Sequence, residues 1–339
     1  MFPTFVGITL ITFSLVQLVP GDPAEVRFQN EEAPPSGDVS AGIQRFREAY
    51  LLDQAIWRQY LHYVGPFDLS TKGHPWFGGS GETPYGGLFF FDLGVELQRP
   101  HVEIRDELGK RLSVTVPLAL GALFFAYLLA LPLGVLSVIR QGTLFDLGAG
   151  VFVYLLYSIP AFWAGLMLQL AFGGGGLDWL PIIGLHDSEA GDFTPWQRLL
   201  DTARHFVLPL VTLSYATFAY LSRQMRSGLL DVIREDYIRT ARAKGLTERV
   251  VVCKHALRGS LGPVLTLFSS ILPALIGGSV IVESIFDLPG IGSYAFQGLA
   301  ERDYFVVMAT ASLSALVTMV CILLSDVAYA WADPRVRYE

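Results

Sequence analysis

Six long runs of the sequence contain no Asp, Glu, Lys or Arg, and they constrain the fold more than any other feature. A helix needs roughly 20 apolar residues to cross the ~30 Å hydrocarbon core of a bilayer. One charged side chain at the centre of a span costs about 2.5–3.5 kcal/mol. The runs therefore predict six transmembrane helices rather than the buried core helices of a large soluble protein. They cover residues 2–19, 112–138, 147–172, 206–222, 260–282 and 304–325.

The composition agrees with this prediction. Hydrophobic residues make up 52% of the 339 residues and charged residues 16%, whereas about a quarter of a typical soluble protein is charged. The net charge of −7 gives no support for nucleic-acid binding. We therefore predict an all-α integral membrane protein that contacts lipid and does not bind nucleic acid.

The placement of Lys and Arg predicts the orientation. Short cytoplasmic loops of membrane proteins carry an excess of these residues. Segments 139–147, 222–259 and 332–339 hold half of the 24 Lys and Arg residues, although together they are much shorter than the other connecting segments. Both termini are therefore predicted to be cytoplasmic in a multi-pass protein.

These assignments divide the chain into four parts. Residues 1–20 would form the first transmembrane helix, followed by a large extracytoplasmic region, 21–111. Residues 112–331 would form a five-helix core that includes the cytoplasmic loop 222–259, and residues 332–339 a cytoplasmic tail. We expect the first helix to be retained, because its apolar run is longer than the roughly 7–15 residues of a signal peptide and lacks a preceding basic segment.

The extracytoplasmic region should contain structure of its own. Apolar residues recur at helical spacing between Ile43 and Tyr63, which predicts a helix on the outer surface. Residues 70–85 are rich in Gly and Pro and predict an irregular loop. Gly173–Gly176 lacks a following Lys-Ser/Thr, so it indicates a loop at the end of a span rather than a phosphate site.

Motifs for catalysis and for cofactor binding are absent. The sequence has no G-x-x-x-x-G-K-[ST], no H-E-x-x-H and no G-x-S-x-G. Cys253 and Cys321 have no metal-ligand spacing around them. Glu283 and Asp326 stand at the ends of apolar runs, which argues against a proton relay within the spans. We predict no catalytic residue, no metal site and no cofactor in this chain.

The segment from Glu235 to Thr266 is the most distinctive part of the sequence. Its first half predicts a short amphipathic helix in which Arg239, Arg242 and Lys244 alternate with small residues. Gly costs about 1 kcal/mol relative to Ala inside a helix, so Gly245 indicates a turn or a close contact. The basic side chains can pair with acids on a partner protein. A solvated basic loop without a partner is the alternative.

The segment resembles the cytoplasmic loop of the dipeptide/oligopeptide/nickel permeases of ATP-binding-cassette importers. The similar stretches are Y-I-R-T-A-R-A-K-G-L at 237–246 and K-H-A-L-R at 254–258. V-P-G-D-P at 19–23, E-S-I-F-D-L-P-G-I-G at 283–292 and D-P-R-V-R-Y at 333–338 extend the resemblance over nearly the whole chain. The chain departs from the family in lacking a basic arm before the first span and in an enlarged loop between residues 64 and 89.

The resemblance implies the transmembrane-domain architecture of a type I importer and a function as the first permease of a pair. It implies a homologous second permease, two cytoplasmic ATPases that bind ATP and Mg²⁺, and an extracytoplasmic solute-binding protein, all at a bacterial inner membrane. Short peptides are the expected cargo, with nickel and other small solutes left open. A stand-alone channel or receptor whose basic loop binds lipid or another partner is the alternative. The residues implied to couple the permease to its ATPases are Tyr237, Ile238, Arg239, Thr240, Ala241, Arg242, Ala243, Lys244, Gly245 and Leu246.

Overall fold

The computed structural model is helical, and the residues that it describes form no strand beyond two isolated bridges, Gly87 with Asp92 and Val95 with Glu103. These residues are 2–18, 22, 24–25, 28, 39–49, 51–65, 87–88, 91–99, 101–173, 176–187 and 190–332. The loop predicted at residues 70–85 and most of the predicted tail, 332–339, lie outside them.

The chain divides into two compact units. The first comprises residues 1–113 and 293–316, and the second comprises residues 114–292 and 317–339. A 3₁₀ turn lies at Ala190–Asp192, and a helical turn at Glu248–Val250 leads into π-helical turns at Val251–Ala256. The longer helices are α1 Phe2–Leu18, α2 Val39–Ala49, α3 Ile56–Val64, α4 Ile104–Ile139, α5 Leu144–Ser158, α6 Ala161–Phe172, α7 Pro195–Val232, α8 Asp236–Ala243, α9 Leu257–Gly278, α10 Val280–Ile285, α11 Ile291–Ala300 and α12 Tyr304–Ala332.

Within the described ranges, three helices are long and apolar enough to cross a membrane: α4, α7 and the Tyr304–Val327 part of α12. The run predicted as a single span at 147–172 is instead two helices, α5 and α6, bent by 99°. The bend lies at Ile159, whose extended backbone (ψ 124°) precedes Pro160; a residue before proline is disfavoured in the helical region. The bent pair would make a fourth span, and the number six stays a prediction.

Within the first unit, aromatic side chains join α1 to α3. Phe13 is buried and meets Tyr60 edge-on and Tyr63 in a stacked arrangement, with ring centroids 5.5 and 6.2 Å away. The Tyr63 hydroxyl donates to the Met308 carbonyl at 3.0 Å. The single helix expected between residues 43 and 63 is two helices, because the chain turns between them at Leu51, whose φ is +57°.

The first unit also buries two carboxyl groups that organise its loops. Glu96 accepts hydrogen bonds from Arg99 Nε at 2.6 Å and from the Tyr294 hydroxyl at 2.8 Å. Asp303 accepts from the backbone N–H groups of Leu97 and Val306 at 2.6 and 3.2 Å. Burial raises the pKa of Asp303 to about 6, against the opposing effect of these two hydrogen bonds. Asp303 thus satisfies two backbone donors, and Glu96 satisfies the buried hydroxyl of Tyr294, all of which would otherwise lack partners.

In the second unit, Glu283 holds the turn between α10 and α11. Glu283 is fully buried, and its Oε1 accepts from Thr115 Oγ1 on α4 at 2.7 Å and from Ser279 Oγ at 2.8 Å. Thr115 Oγ1 in turn accepts from the Ile291 N–H at 2.8 Å. From the sequence Glu283 stands only at the end of an apolar run, whereas in the structure it is a buried link between α4 and this turn.

The same turn depends on a glycine. A Cβ on Gly292 would lie 2.7 Å from both the N and the Cα of Val280, which are backbone atoms that cannot rotate away. We expect Gly292→Ala to destabilise the protein by about 1–3 kcal/mol or more, as overpacking does. The measurement is the yield and thermal stability of the monodisperse protein in detergent.

Gly150→Ala is the matched control, because nothing lies within 4 Å of a Cβ on Gly150 in α5. Replacing a mid-helix Gly by Ala typically contributes about 0.5–1 kcal/mol of stability, so this variant should match or exceed the parent. Equal stability of the two variants would contradict the packing described for Gly292.

Candidate functional site

The predicted amphipathic helix is α8, and two of its side chains anchor it. Ile238 is fully buried and Ala241, three residues later, is 7% exposed, so both lie on one face. They belong to a group that we call the loop cluster. Isolated helices shorter than about 12–15 residues are marginal in water, so α8 depends on this packing. The loop cluster consists of Leu221, Met225, Leu229, Ile238, Ala241, Val251, Val252 and Ala256.

The other predicted coupling residues lie on the surface. Tyr237 and Leu246 are exposed apolar side chains, at 49% and 39%. They flank a polar and basic strip along the outer face of α8 and the turn that follows it. The structure therefore divides the ten residues into two that anchor and eight that are exposed, namely Tyr237, Arg239, Thr240, Arg242, Ala243, Lys244, Gly245 and Leu246.

Two of the three basic residues already have partners within the chain. Arg242 makes a bidentate pair with Glu248, with its Nη2 2.7 Å from Oε1 and its Nε 3.2 Å from Oε2. This hydrogen bonding lowers the pKa of the Glu248 carboxyl below its ordinary value. Arg239 pairs with Asp236 at 3.2 Å. Lys244 makes no ion pair with any residue that the structure describes, so it is the cation left for an external acid.

Gly245 ends the helix in a turn. Its φ of +76° is a left-handed conformation that side chains other than Asn and Asp rarely adopt. Apart from its two chain neighbours, no residue that the structure describes has an atom within 4 Å of the position that a Cβ would occupy. The turn, one of the two alternatives expected from the sequence, is present at Gly245.

A second feature, an open groove, was not predicted from the sequence. The groove lies between α5 and α7 and has a volume of about 860 Å³. Arg226 and Asp146, both in its lining, form a bidentate pair with N–O distances of 2.8 and 2.9 Å. Arg223 is exposed and makes no ion pair with the described residues. Tyrosine hydroxyls, an amide and a cation are groups that can bind a solute with amide and carboxylate groups. The polar lining comprises Tyr154, Tyr157, Tyr220, Arg223 and Gln224.

The family of this chain follows from its match to a known protein family. Residues 114–338 match the family described as binding-protein-dependent transport system inner membrane component. The chain belongs to this family. It is therefore a membrane-embedded permease component, and the resemblance to the dipeptide/oligopeptide permeases is confirmed.

Two relatives align with this permease over at least 99% of its length. It is 34% identical to the di/tripeptide transport system permease protein DppB of Pseudomonas aeruginosa, over all of this chain and 96% of that protein. It is 34% identical to the oligopeptide transport system permease protein AppB of Bacillus subtilis, over 99% of this chain and 96% of that protein. The inward-facing MetNI methionine ABC transporter is similar in fold, with a TM-score of 0.52 and 19% identity over 67% of this chain and 96% of that one.

The anchoring of α8 can be tested at Ile238. Replacing this fully buried side chain by Ala should cost about 2–5 kcal/mol of local stability. Amide hydrogen exchange over residues 236–250 should accelerate, while exchange in α4 and α12 stays unchanged. Thr240→Ala, at an exposed position of the same helix, should leave exchange nearly unaltered. Slow exchange in Ile238→Ala would contradict the assigned anchor.

Proposed function

We propose that this permease forms the translocation pathway of a peptide importer and that α8 couples it to separate ATPase subunits. The peptide cargo is inferred from relatives at 34% identity that are named as di/tripeptide and oligopeptide permeases. The groove between α5 and α7 supports this cargo, because its cation and hydroxyl groups suit carboxylate and peptide groups. Nickel and other small solutes are the alternatives within the same class.

The proposed assembly contains this chain, a homologous second permease, two cytoplasmic ATPases and an extracytoplasmic solute-binding protein. The family description names a binding-protein-dependent system, which supports the last of these. The chain has no P-loop of its own, so ATP and Mg²⁺ are assigned to the ATPases. A stand-alone channel or receptor is not favoured, because the family consists of components of transport systems.

One observation carries the coupling proposal: α8 is fixed by Ile238 and Ala241 on one face and presents an uncovered, mixed apolar and basic surface on the other. Tyr237 and Leu246 supply apolar area, and Lys244 supplies a charge that no described residue pairs. Such a combination is typical of a protein–protein contact, in which an apolar centre is surrounded by polar groups.

Coupling can be tested at Gly245. Because this position is open within the chain, a bulky side chain there should obstruct a docked partner without disturbing the fold. We expect Gly245→Trp to insert at normal abundance and to abolish solute-stimulated ATP hydrolysis by the assembled complex.

Gly245→Asn is the matched control, because Asn tolerates the left-handed backbone while adding little bulk. It should retain most of the stimulated hydrolysis. Normal transport by Gly245→Trp at wild-type abundance would contradict the proposal, and equal loss in both variants would assign the effect to the backbone.

The proposed orientation has six spans and both termini in the cytoplasm. Single cysteines at Ala55 and Thr247, both exposed, can be introduced after replacement of Cys253 and Cys321. An impermeant thiol reagent applied to intact cells should label the cysteine at position 55 only, and the one at 247 should react after permeabilisation. Labelling of position 247 in intact cells would overturn the orientation.

A further inference from the structure

Two helix faces form the walls of the groove between α5 and α7. Residues three and four positions apart lie on one side of a helix. On α5 this spacing gives an apolar wall of Leu147, Val151 and Leu155, all of them more than half exposed. On α7 the same spacing gives a polar wall. The residues of the polar wall are Tyr220, Arg223, Gln224 and Ser227.

The groove has room for a small solute, and Gly150 contributes to that room. The volume of about 860 Å³ lies within the roughly 300–1,000 Å³ that is usual for sites of small ligands. Gly150 lines the groove from α5 without a side chain. Apart from its chain neighbours and the backbone of its own helix, no described residue has an atom within 4 Å of the position that a Cβ would occupy there.

The charges in the groove lining do not balance. Asp146 is satisfied within the chain, because it accepts from Arg226 at 2.8 and 2.9 Å and from the Gly142 N–H at 3.2 Å. Arg223 is exposed and makes no ion pair with any residue that the structure describes. Asp146, Arg223 and Arg226 are the charged residues of the lining. The lining therefore has one positive charge in excess, and that charge is on Arg223.

The position of Arg223 on α7 indicates a functional role for this charge. Arg223 lies within a helix that is long and apolar enough to cross a membrane. Ionisable side chains of such helices face the bundle interior or a water-filled cavity, and they mark the paths of substrates and ions. Because Arg223 lines an open groove, it is placed to contact a solute that enters there.

We propose that Arg223 binds the C-terminal carboxylate of the cargo peptide and that the permease thereby selects peptides with a free C-terminus. The inference rests on the proposed function in peptide import. A planar guanidinium matches a carboxylate with two parallel hydrogen bonds. Gln224 and the hydroxyls of Tyr154, Tyr157 and Tyr220 can donate to and accept from the peptide groups of the same solute.

The two walls differ in how strongly they discriminate. The C-terminal carboxylate and the backbone amides are common to linear peptides, whereas the side chains vary. An apolar wall distinguishes only weakly between side chains, but a site that hydrogen-bonds a particular group strongly rejects an analogue without it. The groove therefore accepts peptides of varied sequence and rejects amidated ones. This selection belongs to the permease and adds to any selection made by the solute-binding protein.

The experiment measures how peptides protect a cysteine in the groove. Ser227 is exposed and lies one helical turn from Arg223, so Ser227→Cys is introduced after replacement of Cys253 and Cys321 by Ser. The complex with the second permease and the ATPases is purified in detergent without the solute-binding protein. A mass-tagging maleimide reports labelling as a gel shift of this chain. The probes are tri-L-alanine and tri-L-alanine amide.

Tri-L-alanine should protect the introduced cysteine at about tenfold lower concentration than the amide does, as expected for one hydrogen-bonded charge. In Arg223→Gln both probes should protect at the same concentration. Arg223→Lys keeps the charge but not the planar fork, so it should retain part of the preference. Arg204→Gln is the matched control, at an exposed position of α7 outside the groove lining, and it should keep the full tenfold preference.

A second variant tests the groove without changing Arg223. Gly150→Leu puts a side chain into the open space between the walls, so it should remove protection by both probes while thermal stability stays at the parent level. A cysteine introduced as Ala55→Cys, at an exposed position outside the groove lining, should be labelled at the same rate with and without the probes.

Two results would overturn the role of Arg223: no protection by tri-L-alanine, or the same tenfold preference in Arg223→Gln as in the parent. Protection by phosphatidylglycerol but not by the peptide would also overturn it, because the groove would then be a lipid site. Failure of the proposed function gives a different result, since the complex with its solute-binding protein would then not import radiolabelled tri-L-alanine. Import without protection would remove only the role assigned to the groove.

Discussion

The exposed surface of α8 depends on one close approach, between Gly134 of α4 and Met225 of α7. A Cβ on Gly134 would lie 2.8 Å from Met225 Cβ and 3.1 Å from the Ser222 carbonyl oxygen, so only glycine permits this crossing. Met225 is fully buried there and joins Leu221 and Leu229 in the loop cluster. The position of α8 follows from that cluster. Small residues that let helix backbones approach are a common device in membrane proteins, where lipid gives helices no hydrophobic reason to associate.

The sequence predicted the long helices of the fold better than the bends that interrupt them. Charge-free runs correctly indicated α4, α7 and α12, because in hydrocarbon only a helix satisfies every backbone group internally. The same criterion could not detect the bend at Pro160, since a broken pair of helices is as apolar as a straight one. It also could not detect the role of Glu283, whose partner Thr115 is 168 residues away in the chain. Polar links of this kind depend on the fold rather than on local pattern.

The candidate site was predictable in outline. The spacing of Arg239, Arg242 and Lys244 correctly indicated a short helix with an exposed basic face, and Gly245 correctly indicated its end. The sequence could not show which charges remain available, because Arg242 is paired with Glu248 across the turn. The groove lined by Arg223 was missed for the same reason. It is assembled from separate segments, whose juxtaposition is set by tertiary packing.

The buried face of α8 has a mechanical consequence. Ile238 packs within the loop cluster, between residues of α7 and the π-helical turns that lead into α9. Closely packed side chains have low compressibility, so a push on α8 cannot be absorbed locally and must displace its neighbours. Ile238 therefore ties α8 to α7 and to the π-helical turns, so that a displacement of α8 would be passed to both. The π-helical turns, where hydrogen bonding departs from the regular α-helical pattern, lead directly from this cluster into α9.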